Sequence, residues 1–266
     1  MPAIALMYHD IVDGDAYDAS GFAGADAALY KLGRAEFEAH LEAIAGSGAA
    51  RPATVAELGD GAGAGCPLLI TFDDGGVSAY THAADALERR GWRGHFFVTT
   101  GRVGTPGFLS REQIVELDRR GHVVGSHSAT HPLRMARCRY EEMLGEWKTS
   151  VEVLSDILGR RVSAASVPGG FYSRRVAEAA DEAGLKHLFT SEPTAGLHRV
   201  GGCLVIGRYA VQRWTTPRAA AGLASGRLGP RLRQAVLWNA KKATKAVGGE
   251  FYLRARKALI GRGEQR

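Results

Sequence analysis

The stretch Pro67-Leu68-Leu69-Ile70-Thr71-Phe72-Asp73-Asp74-Gly75-Gly76 is an apolar run that ends abruptly in two acids and two glycines. An apolar run of this length, bounded by a polar turn, predicts a buried strand over Pro67 to Phe72. Burying two adjacent carboxylates without a cation is costly, so Asp73 and Asp74 at the end of this strand indicate a metal site. Taken alone, the acid pair is equally typical of a helix N-cap or a polar turn.

A second motif, His127-Ser128-Ala129-Thr130-His131, adds two imidazoles after another predicted strand. The chain has nine histidines, so this spacing alone is expected by chance roughly 0.3 times per chain and is weak evidence by itself. Together, two carboxylates and two imidazoles are the ligands for one divalent metal, with one base to spare. The two motifs therefore predict metal-assisted hydrolysis.

Around these motifs, the first 216 residues alternate predicted strands with predicted helices. The predicted strands are Ala3 to Tyr8, Pro67 to Phe72, Gly94 to Thr99, His122 to Ser126, Ser163 to Val167, His187 to Thr190 and Leu204 to Val211. The predicted helices are Arg34 to Ala45, Val77 to Arg90, Ser110 to Arg120, Tyr140 to Leu158 and Ser173 to Ala183. About seven strand-helix units in this order predict an α/β fold with a parallel sheet, either closed as a barrel or open and doubly wound.

The chemically interesting residues share one edge of that predicted sheet. Asp73 and Asp74 follow the second strand, His127 follows the fourth, and His9 follows the first. Pro168-Gly169-Gly170 follows the fifth strand. In parallel α/β folds, function collects at the carboxyl ends of the strands. These side chains are therefore expected to line one rim.

Composition predicts one catalytic domain over residues 1–216. A chain of 266 residues that is 45% hydrophobic has enough apolar material for a large core. The N-terminus has no basic leader, and no apolar run approaches the roughly 18 residues that span a bilayer. Three widely spaced cysteines without a CxxC pair argue against a disulfide framework or a thiolate zinc site. These features predict a cytoplasmic protein without a signal peptide or a transmembrane helix.

Residues 217–266 are predicted to form a separate, basic, helical extension. This segment carries 12 Lys and Arg against Glu250 and Glu264, a net charge of +10, which leaves −4 for the rest of a chain whose net charge is +6. Helices are predicted from about Pro230 to Lys245 and from about Glu250 to Ile260. The segment is interpreted either as a solvated face packed on the domain or as a peripheral contact with an anionic membrane. Nucleic acid is disfavoured because no binding motif is present.

The motifs resemble those of the polysaccharide deacetylases of carbohydrate esterase family four, which contain the NodB homology domain. Both Thr71 to Gly75 and His127 to His131 match that family's metal-site motifs. Gly94 to Val98 and Gly121 to His127 are similar to the family's neighbouring strands, and the likeness covers about residues 1–216. The opening Tyr8-His9-Asp10 is similar to a subgroup linked to exopolysaccharide or lipid-linked glycan synthesis. The resemblance implies a (β/α) barrel, distorted and seven-stranded.

The resemblance also assigns roles to residues of this chain. It implies that Asp74, His127 and His131 bind a divalent metal, Zn²⁺ or else Co²⁺ or Mn²⁺. It implies that Asp73 is the general base that takes a proton from the attacking water. An N–H of Gly169, which follows Pro168, is implied to stabilise the oxyanion.

Two motifs depart from the family pattern. The third motif usually contains an arginine that orients the base, but the aligned stretch here is Ser166 to Gly170. Arg174, Arg175 and Arg208 are candidates to replace it from another loop, although each is expected to be a surface charge. The last motif usually supplies a Leu-His pair whose histidine protonates the leaving amine. In its absence His9 and His198 are the candidate acids, with His187 ranked below them.

The sequence therefore predicts a metal-dependent carbohydrate N-deacetylase that acts on an N-acetylated sugar of a glycan or a lipid-linked precursor. Two alternatives remain open. One is a hydrolase of another amide or formamide on the same fold, because fold and metal do not determine the acyl acceptor. The other is an inactive, deacetylase-like glycan-binding protein. The intact Asp73 argues against inactivity, because a metal site alone has no need of a spare acid.

Overall fold

A computed structural model describes residues 2–48, 51–58 and 66–239 of the chain. Its strands are β1 Ile4–Tyr8, β2 Ile11–Val12, β3 Leu32–Gly33, β4 Arg51–Pro52, β5 Pro67–Phe72, β6 His95–Val98, β7 Val123–Ser126, β8 Ala164–Ser166, β9 His187–Phe189, β10 Leu197–Val200, β11 Cys203–Ile206 and β12 Tyr209–Ala210. Its α-helices are α1 Ala25–Ala28, α2 Arg34–Gly46, α3 Ala84–Glu88, α4 Arg111–Arg119, α5 Tyr140–Leu158, α6 Arg174–Glu182 and α7 Pro217–Ala224. Residues 228–239 are also helical.

The predicted strands and helices are present, with two local differences. The helix predicted from Val77 begins as a π-helical turn over Ala79–Ala83 before α3. The strand predicted from Leu204 to Val211 is split into β11 and β12. The break falls at Gly207 and Arg208, where the Arg208 amide donates to the carbonyl of Glu192 and not to a strand neighbour.

The split strand brings the two edges of the sheet together. Parallel pairing runs in the order β1, β5, β6, β7, β8, β9 and β11. The next strand in the chain after β11 is β12, which pairs in parallel with β1. The sheet therefore curls into a distorted half-barrel, and the predicted (β/α) barrel fold is confirmed.

Strand parity separates the barrel interior from the layer beneath the helices. Outward-facing residues such as Leu6, Ile70 and Phe96 join the core under the helices. Alternate residues, including Leu69, Phe97, Ala164, Phe189 and Ile206, fill the interior. Side chains two residues apart lie on the same face of a strand. The inward-facing side chains of each strand therefore lead, at its carboxyl end, to the rim of the barrel.

The basic extension begins on the barrel. Helix α7 packs against α2, and Leu223 lies in the core. The 228–239 helix confirms part of the predicted helix from Pro230 to Lys245, whereas the predicted helix from Glu250 to Ile260 lies outside the described residues. The division at residue 217 stays a prediction. Among the described residues, no helix is both long and apolar enough to cross a bilayer.

Candidate active site

Asp74, His127 and His131 converge at the carboxyl ends of β5 and β7. The Nε2 atoms of His127 and His131 lie 3.4 and 3.5 Å from Oδ1 of Asp74. One potential ligand atom from each residue lies within 4.8 Å of the others. Asp74 and His127 are buried and His131 is half-buried. The residues that sequence reasoning grouped are therefore neighbours in space.

The loops that carry these side chains have unusual backbone geometry. Asp74, Ser128 and His131 adopt φ values of 75°, 65° and 62°, and no other described residue except glycine has a positive φ. Left-handed geometry costs a non-glycine residue roughly 1 kcal/mol or more, and such residues persist where the surroundings over-determine them. Two of the three are in the candidate ligand set. The strain is thus concentrated at the place where side chains must be aimed.

Hydrogen bonds around the histidine loop hold that geometry. Nδ1 of His127 donates to the carbonyl oxygen of Ser166 at 3.0 Å, so Nε2 is the nitrogen left free to bind a cation. The Glu146 carboxylate on α5 accepts from the amides of Ala129 and Thr130 at 2.9 and 2.8 Å and from the Thr130 hydroxyl at 2.6 Å. This carboxylate was not recognised from the sequence. It fixes the turn from which His131 projects.

The donor set fits a divalent metal. Two neutral imidazole nitrogens and a carboxylate oxygen are ordinary zinc ligands, and three protein ligands with room for a fourth is the pattern of catalytic sites. In a tetrahedral site with bonds of 2.0 to 2.2 Å, neighbouring ligand atoms are separated by about 3.4 Å. The separations from Asp74 Oδ1 match this value.

The second acid, Asp73, is locked by a buried arginine. Nη1 and Nη2 of Arg208 donate to Oδ1 and Oδ2 of Asp73, each at 2.7 Å, and Arg208 has no exposed surface. Arg208 also donates to the Thr71 hydroxyl, the Ser166 hydroxyl and the Thr190 carbonyl, at 3.0, 2.7 and 3.0 Å. All five guanidinium N–H groups are therefore satisfied. Such a bidentate pair fixes the carboxylate in both position and orientation.

The charges around the two acids keep them ionised. Burial raises the pKa of Asp73, but Arg208 and then His127 outweigh it, so this pKa lies below its usual range. Burial also opposes ionisation of Asp74, whose pKa is nevertheless well below its usual range because His127 and His131 hydrogen bond to it. Burial lowers the pKa of His127, but Asp73 and Asp74 outweigh that effect and raise it. Two carboxylates and two imidazoles thus form one electrostatic unit.

His9 lies on the same rim as the two acids. It acts electrostatically on both Asp73 and Asp74. Its ring centre is 4.8 Å from that of Tyr30, and its buried Nδ1 has no hydrogen-bond partner among the described residues. A half-buried imidazole with a free nitrogen beside the acids is positioned to exchange a proton with a bound molecule.

The first loop, residues 13–33, forms a wall on this side of the rim. Besides Tyr30 on His9, the loop places the ring of Phe22 4.8 Å from that of His131. Buried Lys31 pins the loop by donating to the carbonyls of Tyr17, Ser20 and Phe22 at 2.5 to 2.6 Å. The wall was not foreseen, because a run rich in Gly, Ala and Asp gives no sign of where it will pack.

Asp10, next to His9, anchors the same wall. Its Oδ1 accepts from the hydroxyls of Ser20 and Ser78 at 2.6 and 2.7 Å. Burial raises its pKa, although these hydrogen bonds oppose the shift. Asp10 thus ties the first loop to the segment that follows Asp74.

The structure places the other predicted site residues less uniformly. Gly169 has a φ of 65°, and a Cβ there would lie 2.7 Å from the carbonyl oxygen of Leu133, so this position requires glycine. Buried Pro168 precedes it. His198 is exposed on β10 and hydrogen bonds to the Tyr172 hydroxyl at 3.2 Å. His187 begins β9, at the opposite end of the strand from the rim.

Of the three candidate arginines, only Arg208 reaches Asp73, so the expectation of a surface charge was wrong for it. Arg174 pairs with Glu178 on the surface, and Arg175 lies over the ring of Tyr140. Strand parity was the signal that could have identified Arg208. It stands two residues after inward-facing Ile206, as Asp73 stands two after inward-facing Thr71.

The sequence was then compared with known proteins. A family model described as polysaccharide deacetylase matches residues 62–188. The putative polysaccharide deacetylase YxkH of Bacillus subtilis is 26% identical over 207 residues, which cover 73% of this chain and 69% of YxkH. The peptidoglycan-N-acetylglucosamine deacetylase PgdA of Listeria monocytogenes is 31% identical over 113 residues, which cover 42% of this chain but only 23% of PgdA.

The structure was compared in the same way. IcaB from Ammonifex degensii superposes with a TM-score of 0.67 at 27% identity, covering 84% of this chain and 97% of IcaB. The span matched by the family model contains both Thr71 to Gly75 and His127 to His131. The chain is thus similar to polysaccharide deacetylases both in sequence and in fold.

Proposed function

We propose that this protein is a metal-dependent hydrolase that removes acetyl groups from N-acetylated sugars of a glycan or a lipid-linked glycan precursor. The observation that carries the proposal is that two adjacent acids make different contacts. Asp74 faces two imidazoles in a metal-ligand set, while Asp73 is held apart from that set by Arg208. The family, and a relative named for acting on peptidoglycan N-acetylglucosamine, support an N-acetylated sugar as substrate.

In this proposal Asp74, His127 and His131 hold the metal, with zinc favoured by the two imidazole ligands and cobalt or manganese as the other candidates. When bound, such an ion supplies Lewis acidity toward the acyl oxygen and makes water a better nucleophile near neutral pH. The Ser166 carbonyl maintains the required tautomer of His127.

Asp73 is proposed to accept the proton of the attacking water. Arg208 keeps the Asp73 carboxylate ionised. Among the described residues, Oδ1 of Asp73 accepts one hydrogen bond, so this oxygen retains the capacity to accept another. The water oxygen bonds to the acetyl carbon as one water proton passes to Asp73. The C–N bond then breaks while the nitrogen takes a proton from a separate acid, and the proton held by Asp73 is released to restore that acid. Acetate and a free amino sugar are the products.

His9 is proposed to deliver a proton to the leaving nitrogen, and the Gly169 N–H to donate to the oxyanion. His9 is supported over His198 because it influences both acids, whereas His198 is exposed and bonded to Tyr172. Amine expulsion needs protonation, and a positioned acid contributes roughly 10² to 10⁴ in rate.

The setting of the reaction is part of the proposal. The opening Tyr8-His9-Asp10 favours a role in exopolysaccharide or lipid-linked glycan synthesis, and the composition favours the cytoplasm, at the inner membrane face. Nucleic acid is not a proposed partner.

Acetate release from a panel of N-acetylated and N-formylated sugars tests the proposal. We expect purified protein to contain about one divalent ion, to release acetate from N-acetylglucosamine oligomers or precursors, to stop after chelation and to recover on adding Zn²⁺, Co²⁺ or Mn²⁺. Formate release without acetate release would favour the alternative amide hydrolase. Metal binding without any release across the panel would favour an inactive glycan-binding protein.

A further inference from the structure

Large exposed hydrophobic side chains are concentrated on one short helix. Among the described residues, seven large hydrophobic side chains are exposed, and four of them lie between residues 228 and 237. They are Leu228, Leu232, Val236 and Leu237, which are 72%, 59%, 65% and 50% exposed. Leu228, Leu232 and Val236 are four residues apart, so they form a stripe along one side of the helix.

The helix is attached to the barrel by its polar side. Gln234 exchanges two hydrogen bonds with the backbone of Ala210, and Nε of Arg231 donates to the Tyr209 hydroxyl at 2.7 Å. Trp238 approaches the barrel as well, because a Cβ on Gly170 would lie 3.4 Å from its Cη2 atom. A surface helix normally buries its apolar stripe and exposes its polar face. Here the order is reversed, and the stripe faces away from the protein.

Positive charges accompany the exposed stripe. Arg227 and Arg233 are exposed on the same segment, and the sequence continues with Lys241, Lys242 and Lys245 outside the described residues. The part of the chain after residue 216 has a net charge of +10. A helix with leucine and valine on its outer side and arginine beside them, in a strongly basic part of the sequence, matches the chemistry of an anionic lipid surface.

We infer that the stripe formed by Leu228, Leu232 and Val236, together with the adjacent exposed Leu237, is a docking surface that inserts into an anionic lipid bilayer. The apolar side chains enter the acyl boundary while the neighbouring cations meet anionic headgroups. The inference goes beyond the proposed reaction, since it concerns a surface outside the site. It names the inserting residues, where the sequence indicated only a basic segment.

The docking surface has a consequence for the rim. The end of the helix at Trp238 touches Gly170, which follows Gly169 in the loop after β8. Binding through the helix would therefore hold this part of the rim close to the membrane. A sugar carried on a lipid would reach the site without leaving the bilayer surface.

Vesicle sedimentation of the full chain tests the inference. We expect wild-type protein to sediment with phosphatidylglycerol/phosphatidylcholine vesicles, and binding to fall several-fold with phosphatidylcholine alone or in high salt. The affinity of the double variant Leu232→Glu/Val236→Glu for the vesicles should be lower by about tenfold or more. Val115→Glu, which places the same charge on an exposed apolar position of α4, is the matched control and should bind as wild type.

Three results would contradict the proposed docking surface. Equal sedimentation of the double variant and wild type would overturn the inference. So would a concentration-dependent dimer, detected by light scattering without vesicles, that the double variant abolishes, because a second copy would then cover the stripe. A melting temperature lowered by the double variant but not by Val115→Glu would show that the chain covers the stripe itself. Sedimentation does not depend on catalysis, so failure here leaves the proposed activity standing.

Discussion

Arg208 replaces, from a different strand, the arginine missing from the third motif. It emerges where β11 ends, and its guanidinium lies over the rings of Phe97 and Phe189, 5.9 Å from each ring centre. Ser166 joins the network at the place where the family motif usually has arginine. An arginine that orients the base can therefore come from more than one position in the chain, because only the placement of its guanidinium beside Asp73 matters.

Replacing Arg208 with methionine should impair both catalysis and folding. The variant leaves Asp73 buried without its cation, which costs about 3 to 5 kcal/mol in the free energy of unfolding. Burial then raises the Asp73 pKa against the weaker opposition of His127 alone, so the acid limb of the pH profile of kcat/KM should move to higher pH. Arg174→Met, a surface control, should leave both the free energy of unfolding and the pH profile unchanged. An unshifted acid limb in Arg208→Met would contradict the assigned role.

His9 and His198 give opposite expectations as the proton donor. His9→Gln should lower turnover of an N-acetylated sugar by about 10²-fold or more, whereas His198→Gln should leave it near wild type. With 4-nitrophenyl acetate, whose leaving group needs no proton, His9→Gln should retain most of its activity. Steady-state rates on both substrates check this. The reverse ranking of the two variants would assign the acid to His198.

At the scale of elements, the ligand loop depends on a helix that the motifs do not mention. Between the left-handed residues Ser128 and His131, the amides of Ala129 and Thr130 donate to Glu146, which projects from α5. The sequence motif specifies which side chains could bind a metal, but their orientation also depends on Glu146, 15 residues after His131. Such contacts are invisible to a reading of local spacing.

Glu146→Gln should weaken metal binding. The amide replaces one acceptor oxygen with a donor, so at least one hydrogen bond to the loop is lost and the His131 ring is less well oriented. Loss of such support commonly reduces metal affinity by about 10- to 100-fold. Chelator competition measures the affinity. Glu152→Gln, on an exposed position of the same helix, is the control, and equal affinity in the two variants would contradict a positioning role for Glu146.

Across the whole molecule, alternation along the strands explains what could be predicted. Apolar runs and glycine stops identified the strands and helices, and the carboxyl-end rule grouped Asp73, Asp74, His127 and His9. The split of the last strand was missed because β11 and β12 read as one apolar run. Their separation depends on two different neighbours, β9 and β1, and tertiary pairing of this kind leaves no local signal.

The barrel interior should make stability depend on pH. Burial lowers the pKa of His95, beneath the site, to about 4, although its hydrogen bond to the Ile70 carbonyl opposes the shift. The neutral imidazole also accepts from the Val55 amide. The unfolded chain has a histidine pKa of about 6.5 and binds more protons between these values. Stability from His95 is therefore complete above pH 6.5 and is lost as the pH falls toward 4, by about 2 kcal/mol at pH 5.

Urea unfolding of metal-free protein at pH 7.5 and pH 5 checks this dependence. His95→Gln, whose amide can both donate to Ile70 and accept from Val55, should lose about 2 kcal/mol less than wild type between the two conditions. Removing the metal makes the ligand histidines contribute equally to both proteins. An identical pH dependence in the two proteins would show that His95 is not the group responsible.

The most direct test compares Asp73→Asn with Asp74→Asn, two isosteric changes at adjacent residues. Metal content and acetate release from an N-acetylglucosamine oligomer are measured for each. The proposed roles predict that Asp73→Asn keeps its metal but releases acetate roughly 10² to 10⁴ times more slowly, while Asp74→Asn loses both. Full activity in metal-loaded Asp73→Asn, or loss of its metal, would contradict the assignment of Asp73 as the base beside a metal held by its neighbour.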